Sequence, residues 1–178
     1  MSITRSVALL RGVNVGARNR LSMTDLARWL GDAGFTGVRT YIQSGNVVLE
    51  HPVHQDVGAI VHQVIAERAR LDVGVVVCSS RELIDVVARN PYVGVEPTRL
   101  HVSFLDAAPD PAALLKARQR DWSPEGFTVE DRVVYLHLPH GMGRSVMVPR
   151  LAMLRRATTR NWNTVAALCE LAAEFRTP

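Results

Sequence analysis

Hydrophobic positions along the chain change period several times, and each change predicts an element. Val7-Ala8-Leu9-Leu10 is a short unbroken apolar run, which predicts a buried strand over Ser6–Leu10. Arg11–Arg20 is rich in Gly, Asn and Arg and predicts a long loop. Ser22-Met23-Thr24-Asp25 opens a helix with an acid in its first turn, and the helix stops at Gly31–Gly34. Val38–Gln43 and Asn46–Glu50 read as two strands of a hairpin around Ser44-Gly45. Val57, Ile60, Val61, Val64 and Ile65 then recur at helical spacing, predicting a helix from about Gln55 to Arg70. Val73–Cys78, nearly all β-branched, closes the series as a strand.

That order is β-α-β-β-α-β, the ferredoxin-like unit. A helix capped by Ser79-x-x-Glu82 and ending before Pro91 follows, then a linker-like stretch Pro91–Thr98. A second series begins with strand Leu100–Leu105 and helix Pro111–Arg120. Strands Phe127–Glu130 and Arg132–Leu138 come next, then a helix from Ser145 or Pro149 to Arg155. The fourth strand is expected to be missing or shrunk to Ala157–Arg160. A last helix over Asn163–Phe175 sets Val165, Leu168, Leu171, Ala172 and Phe175 on one face. The expected fold class is α+β: two ferredoxin-like (βαββαβ-type) subdomains in tandem, the second incomplete, plus a C-terminal helix. The divisions fall at 1–79, a connecting helix and linker over 80–99, and 100–178.

The topology then points to a site. In such a unit the first and third strands are adjacent and antiparallel. The loop after strand one therefore lies beside the hairpin turn that leads into strand three, and the first helix begins at the same edge. Gly12, Gly16 and Gly45 allow close backbone approach there. Asn14, Gln43, Ser44 and Asn46 supply neutral hydrogen-bonding groups, and Arg11, Arg18 and Arg20 supply charge. With a helix N-terminus beside them, these residues form a candidate anion or phosphate pocket. The alternative is that two irregular turns brace each other through Asn and Ser side chains. A second polar cluster, Thr158-Thr159-Arg160-Asn161-Trp162-Asn163-Thr164, precedes the last helix. Asn161 or Asn163 is its expected N-cap, Trp162 a buried staple, and Arg160 the residue best able to reach a ligand.

Composition and charge narrow the function classes. The 178 residues are 47% hydrophobic and 21% charged, enough for one or two small cores without metal or disulfide support. No apolar run reaches the length of a membrane span, and Met1–Ser6 lacks the features of a secretory leader. Cys78 and Cys169 stand far apart, which suits a reducing cytoplasm and excludes a cysteine-based zinc motif. The net charge of +4 is sorted along the chain: residues 1–50 carry +3, 51–143 carry −3 and 144–178 carry +4. Only Lys116 among the 21 basic residues is lysine; the rest are arginines, which contact phosphate or carboxylate bidentately. An anionic partner is the natural complement. P-loop and nucleophile-elbow motifs are absent. The pairs His51/His54 and His137/His140 lack a third ligand, so no metal or cofactor is expected. The two central strands carry no aromatic residue, so RNA stacking on the sheet is not expected either.

Three segments together resemble a bacterial family known as domain of unknown function 1697. They are Leu10-Arg11-Gly12-Val13-Asn14-Val15-Gly16, Thr40-Tyr41-Ile42-Gln43-Ser44-Gly45-Asn46-Val47-Val48 and Thr159-Arg160-Asn161-Trp162-Asn163-Thr164. The family pattern has a second Gly after Gly16 and lysines nearby, where this chain has Ala17, Arg18 and Arg20. The resemblance implies two ferredoxin-like subdomains and no established activity. The leading expectation is a binder of an anionic, phosphate-bearing ligand, nucleic acid or a nucleotide first, with no membrane partner. Its candidate ligand-binding residues are Arg11, Gly12, Asn14, Gly16, Gln43, Ser44, Gly45, Asn46, Arg160 and Asn161. One alternative is an enzyme acting on a small phosphorylated or carboxylated metabolite, with Arg11 and Arg160 as clamps. The other is an interaction module whose motifs are structural.

Overall fold

A computed structural model describes residues 2–16 and 19–173. The expectations placed on Arg18 and on Phe175 lie outside the described residues. The chain forms two compact units: one runs to Asp85 and takes in the stretch from Ala167 onward, and the other is Val86–Ala166.

The first unit contains β1 (Ile3–Leu10), α1 (Met23–Asp32), β2 (Thr36–Tyr41), β3 (Asn46–Pro52), α2 (Val57–Ala69) and β4 (Val75–Ser79). Its strands make one antiparallel sheet in the order β2-β3-β1-β4. Ala8, Leu10, Val47 and Leu49 meet Leu26 and Leu30 of α1 and Val61 and Ile65 of α2 in a single core. Val7, Leu9 and Val48, which point to the opposite face by alternation, are equally buried. Burial on both faces explains why β1 reads as an unbroken apolar run rather than an alternating one. The helices start where capping residues permit. Ser22 accepts the Asp25 amide at 3.2 Å, and Asp56 accepts the Ala59 amide at 3.0 Å. α3 (Ser80–Ala88) opens on a reciprocal capping box: the Ser79 amide donates to the Glu82 carboxylate at 2.7 Å, and the Glu82 amide to Ser79 Oγ at 3.2 Å.

The second unit repeats the strand order with β5 (Leu100–Phe104), α4 (Pro111–Arg118), β6 (Gly126–Glu130), β7 (Val133–His137) and β8 (Thr158–Asn161), giving β6-β7-β5-β8. Of the two expectations for the fourth strand, its absence is corrected, and a strand shrunk to about Ala157–Arg160 is met within one residue. β8 is short but pairs with β5 from Phe104↔Thr158 to His101↔Asn161. What the unit lacks is the α-helix expected before it. Three 3-10 turns, Met142–Arg144, Val148–Arg150 and Ala152–Arg156, stand in its place. Pro149 removes a backbone donor in mid-run, and Gly141 takes φ +81°. The amides left without helical partners turn to Glu125, whose buried carboxylate accepts Met147 N at 2.8 Å, Ser145 Oγ at 3.1 Å and Val146 N at 3.3 Å. Met147 and Leu151 still fill the core with Leu105, Val134, Leu136 and Leu138. α5 (Trp162–Ala173) follows β8 directly.

Tyr135 is a buried anchor of the second unit. Its hydroxyl donates to the Val86 carbonyl at 2.8 Å, and burial, with the negative charge of Glu130 as a lesser cause, pushes its pKa up to about 12. Tyr135→Phe removes the donor but keeps the ring. It is expected to cost about 1–2 kcal/mol in urea unfolding; an unchanged midpoint would mean that this bond adds nothing.

A loop–turn edge as candidate ligand site

The site begins with strand register. Leu9 faces Asn46 across β1 and β3, so the chain leaving β1 and the turn entering β3 emerge side by side. The Leu10 amide donates to the Gly45 carbonyl at 2.8 Å, joining the two bends at their base. Gly45 sits at φ +80°, and a Cβ there would lie 2.5 Å from Val13 Cγ2 and 2.7 Å from Leu10 Cβ. Both the backbone conformation and the close approach require glycine. Arg11 is fixed from the other side. Its amide donates to the Gly74 carbonyl at 2.9 Å, and its guanidinium lies over Gly74, where a Cβ would sit 2.8 Å from Nη2.

Asn14 is the pin. Its Nδ2 donates to Gln43 O at 2.7 Å and Leu21 O at 2.9 Å, and its Oδ1 accepts the Leu21 amide at 2.9 Å. One side chain thus ties the start of the loop, its end and the hairpin turn together. It does so from φ 55°, a conformation asparagine tolerates better than most residues. Asn19 closes the loop on itself, with Nδ2 donating to Gly12 O at 3.1 Å. Asn46 is fully buried, and its Nδ2 donates to Tyr41 O and to Ser44 Oγ, both at 3.0 Å. The asparagines therefore brace the bends, as the structural alternative anticipates.

Between the braced bends lies an open hollow of about 380 Å3, lined by Asn14, Gly16, Arg20, Leu21, Ser22 and Gln43. The first turn of α1 starts at its wall with Ser22, and amides of a first helical turn have no partners within the helix. Asp25, the acid of that turn, is held by Arg28 at 2.9 Å. Hydrogen bonds from Arg28 and then Ser22 keep its carboxyl below the ordinary range. Gly16 stands at φ +63° with open space where a Cβ would be.

Of the ten expected site residues, Asn14, Gly16 and Gln43 line the hollow, while Arg11, Gly12, Ser44, Gly45 and Asn46 belong to the bends around it. Arg160 and Asn161 lie on β8 in the second unit. Asn161 caps α5, its Oδ1 accepting the Thr164 amide at 2.9 Å. Arg160 is buried, donates from Nη1 to Thr159 O at 2.9 Å, and has its pKa lowered to about 10 by desolvation. Trp162, the expected buried staple, is half-buried at the first position of α5. Ser22 and Leu21 also line the hollow, and nothing in the sequence singles them out for it. Ser22 signals only a helix cap, and its place at the hollow follows from where that helix begins.

Among the described residues, no group of three or more His, Cys, Asp or Glu side chains converges as a metal site. Ser6 Oγ and His51 Nε2 lie 2.9 Å apart, and His51 Nδ1 lies 2.9 Å from Pro52 O. A carbonyl only accepts, so Nδ1 carries the proton of the neutral ring and Ser6 donates to Nε2. Both side chains are buried, and the pair ties β1 to β3.

Comparison with known proteins places the chain in a family. The family model described as "Protein of unknown function (DUF1697)" matches residues 3–135. The chain belongs to the DUF1697 family. Among solved structures, this DUF1697 chain is similar to the conserved bacterial protein SP0830 from Streptococcus pneumoniae. The identity is 17% and the TM-score 0.77, over 96% of this chain and 99% of that one. A putative chlorite dismutase, TA0507, aligns over 94% of this chain and 99% of its own at 13% identity, but its TM-score of 0.25 carries no argument. No curated protein matches the chain. No helix among the described residues is long and apolar enough to cross a membrane.

Two substitutions test the bracing. Asn14→Ala leaves the Leu21 amide and the Gln43 carbonyl without that partner and is expected to cost about 1–3 kcal/mol. Gly45→Ala, strained in φ and in collision with Val13 and Leu10, is expected to cost more than ~2 kcal/mol. Urea unfolding of both variants is the measurement; full stability in either would contradict this account of the edge.

Proposed function

We propose that this DUF1697 chain binds a phosphate-bearing anionic ligand in the hollow between the loop after β1 and the turn before β3, with nucleic acid as the foremost class. The observation that carries the reading is a division of labour at the edge. Asn14 and Asn46 spend their hydrogen bonds within the protein. Arg20, the Gly16 backbone, Gln43 and the start of α1 face the hollow they hold open. A cation, a glycine that admits close approach and a helix N-terminus together suit an oxyanion. The sheet order of both units supports reading each as ferredoxin-like, although the apolar central strands offer no stacking platform. Contact with nucleic acid would then run through the loop edge and through phosphates. Neither Cys78 nor Cys169 is part of a disulfide, which supports a reducing, cytoplasmic setting.

The bracing asparagines favour a second reading, an interaction module without a ligand. An enzyme acting on a small phosphorylated metabolite would use the same hollow. A thermal-shift screen with inorganic phosphate, nucleotides and short oligonucleotides separates these readings. A ligand present at a hundred times its Kd adds ~2.7 kcal/mol, a rise of roughly 5–10 °C in Tm for a chain of this size. The reading expects such a rise for the parent and its loss in Arg20→Ala. No shift with any of the three probes, or an equal shift in Arg20→Ala, would overturn it.

A further inference from the structure

The second unit carries a charged surface of its own. α4 packs against the 3-10 turn Ala152–Arg156, and both cover the core formed by Val134, Leu136 and Leu151. Their inward side chains, Ala117 and Leu154 among them, are apolar. Exposed cations stand on and beside them. Lys116 and Arg118 lie in the last turn of α4, Arg120 just beyond it, Arg150 in the neighbouring 3-10 turn, and Arg155 and Arg156 at the end of the next; all six are exposed.

The acids near this layer are engaged. Asp106 pairs with Arg156 at 3.4 Å. Asp110 caps the opposite end of α4 through the Ala113 amide at 2.8 Å, and Asp121 accepts the Ser123 amide at 2.9 Å. Glu125 is buried under the 3-10 turns with its three donors. Lys116, Arg118 and Arg155 have no ion-pair partner among the described residues. An exposed charge is ordinarily just a solvated one. Here cations from three separate segments gather on one layer, and three of them, Lys116, Arg118 and Arg155, face no acid among the described residues that pairs with them.

We propose that this outer layer of the second unit docks the phosphodiester backbone of a single-stranded nucleic acid. Five of the six cations are arginines, whose planar fork matches phosphate oxygens. The Arg120 guanidinium lies over the Trp122 ring, 4.6 Å from its centroid, and a nucleobase can extend that stack. An anionic lipid surface fits less well, because α4 offers only Leu115 as an exposed large apolar side chain to insert. The proposal goes beyond the hollow reading and does not rest on it.

The test is fluorescence anisotropy of a labelled twelve-nucleotide single strand between 50 and 200 mM NaCl. It compares the parent, the triple variant K116Q/R118Q/R155Q and Arg20→Ala. The three substituted side chains are exposed, so the triple variant is expected to melt with the parent. Three lost phosphate contacts make the slope of log affinity against log salt shallower by about 2, and affinity at 50 mM NaCl falls more than ~10-fold. Loss of affinity and a shallower slope in the triple variant uphold this surface whatever Arg20→Ala does, since that variant reports on the hollow separately; parent-like affinity and slope in the triple variant overturn it. No binding by the parent at 50 mM NaCl overturns the proposal. So does binding only to phosphatidylserine vesicles.

Discussion

The pairing of β1 with β3 is the constraint on which the candidate site depends. Both strands are apolar on both faces along their centres, with Val7 and Leu9 as buried as Ala8 and Leu10. A hydrophobic pattern of that kind specifies register weakly, because a slip of one residue exchanges one apolar face for another. Polar groups at the strand ends supply what the pattern lacks. At one end Arg5 stands opposite Glu50 and bonds it at 2.6 Å, and Ser6 meets His51 at 2.9 Å. At the other end Asn46 is buried with its donors satisfied, and Gly45 admits Leu10 and Val13 to distances a side chain would forbid. A shifted register would leave these buried polar groups unpaired, a penalty much larger than the small difference between apolar faces.

Once the register is set, the loop and the turn have no choice but to meet. Asn14 converts that meeting into a rigid frame, since two of its three bonds hold Leu21 at the end of the loop and the third holds Gln43 in the turn. The frame leaves a hollow whose wall combines Arg20, Gly16 and the start of α1. Membership of the DUF1697 family supplies no activity to test this against, and the likeness to the Streptococcus pneumoniae protein, at 17% identity, speaks for the fold alone. The functional reading rests on the chemistry of the edge.

Much of this was legible in the sequence because it follows from local rules. The switch of period from strand to helix gave the first unit nearly element by element, and Ser22, Asp56, Ser79 and Asn161 cap helices as their residue types suggest. The meeting of the two bends was legible too, from strand order alone. What escaped was set by partners far away in the chain. The 3-10 turns before β8 depend on Glu125, some twenty residues upstream, which takes the amides a helix would have used. Arg160 reads from the sequence as the residue best able to reach a ligand, and it lies in a strand that buries it. The asparagines read as ligand donors, and their hydrogen bonds go to backbone groups and, from Asn46, to the Ser44 hydroxyl as well.

The most direct measurement of the central claim is a titration of isotope-labelled protein with a short single-stranded oligonucleotide, followed by amide chemical shifts. The account predicts saturable shifts at Gly16, Arg20 and Ser22 and at Gln43 across the turn. Saturation of the ligand with those four amides unmoved would contradict it.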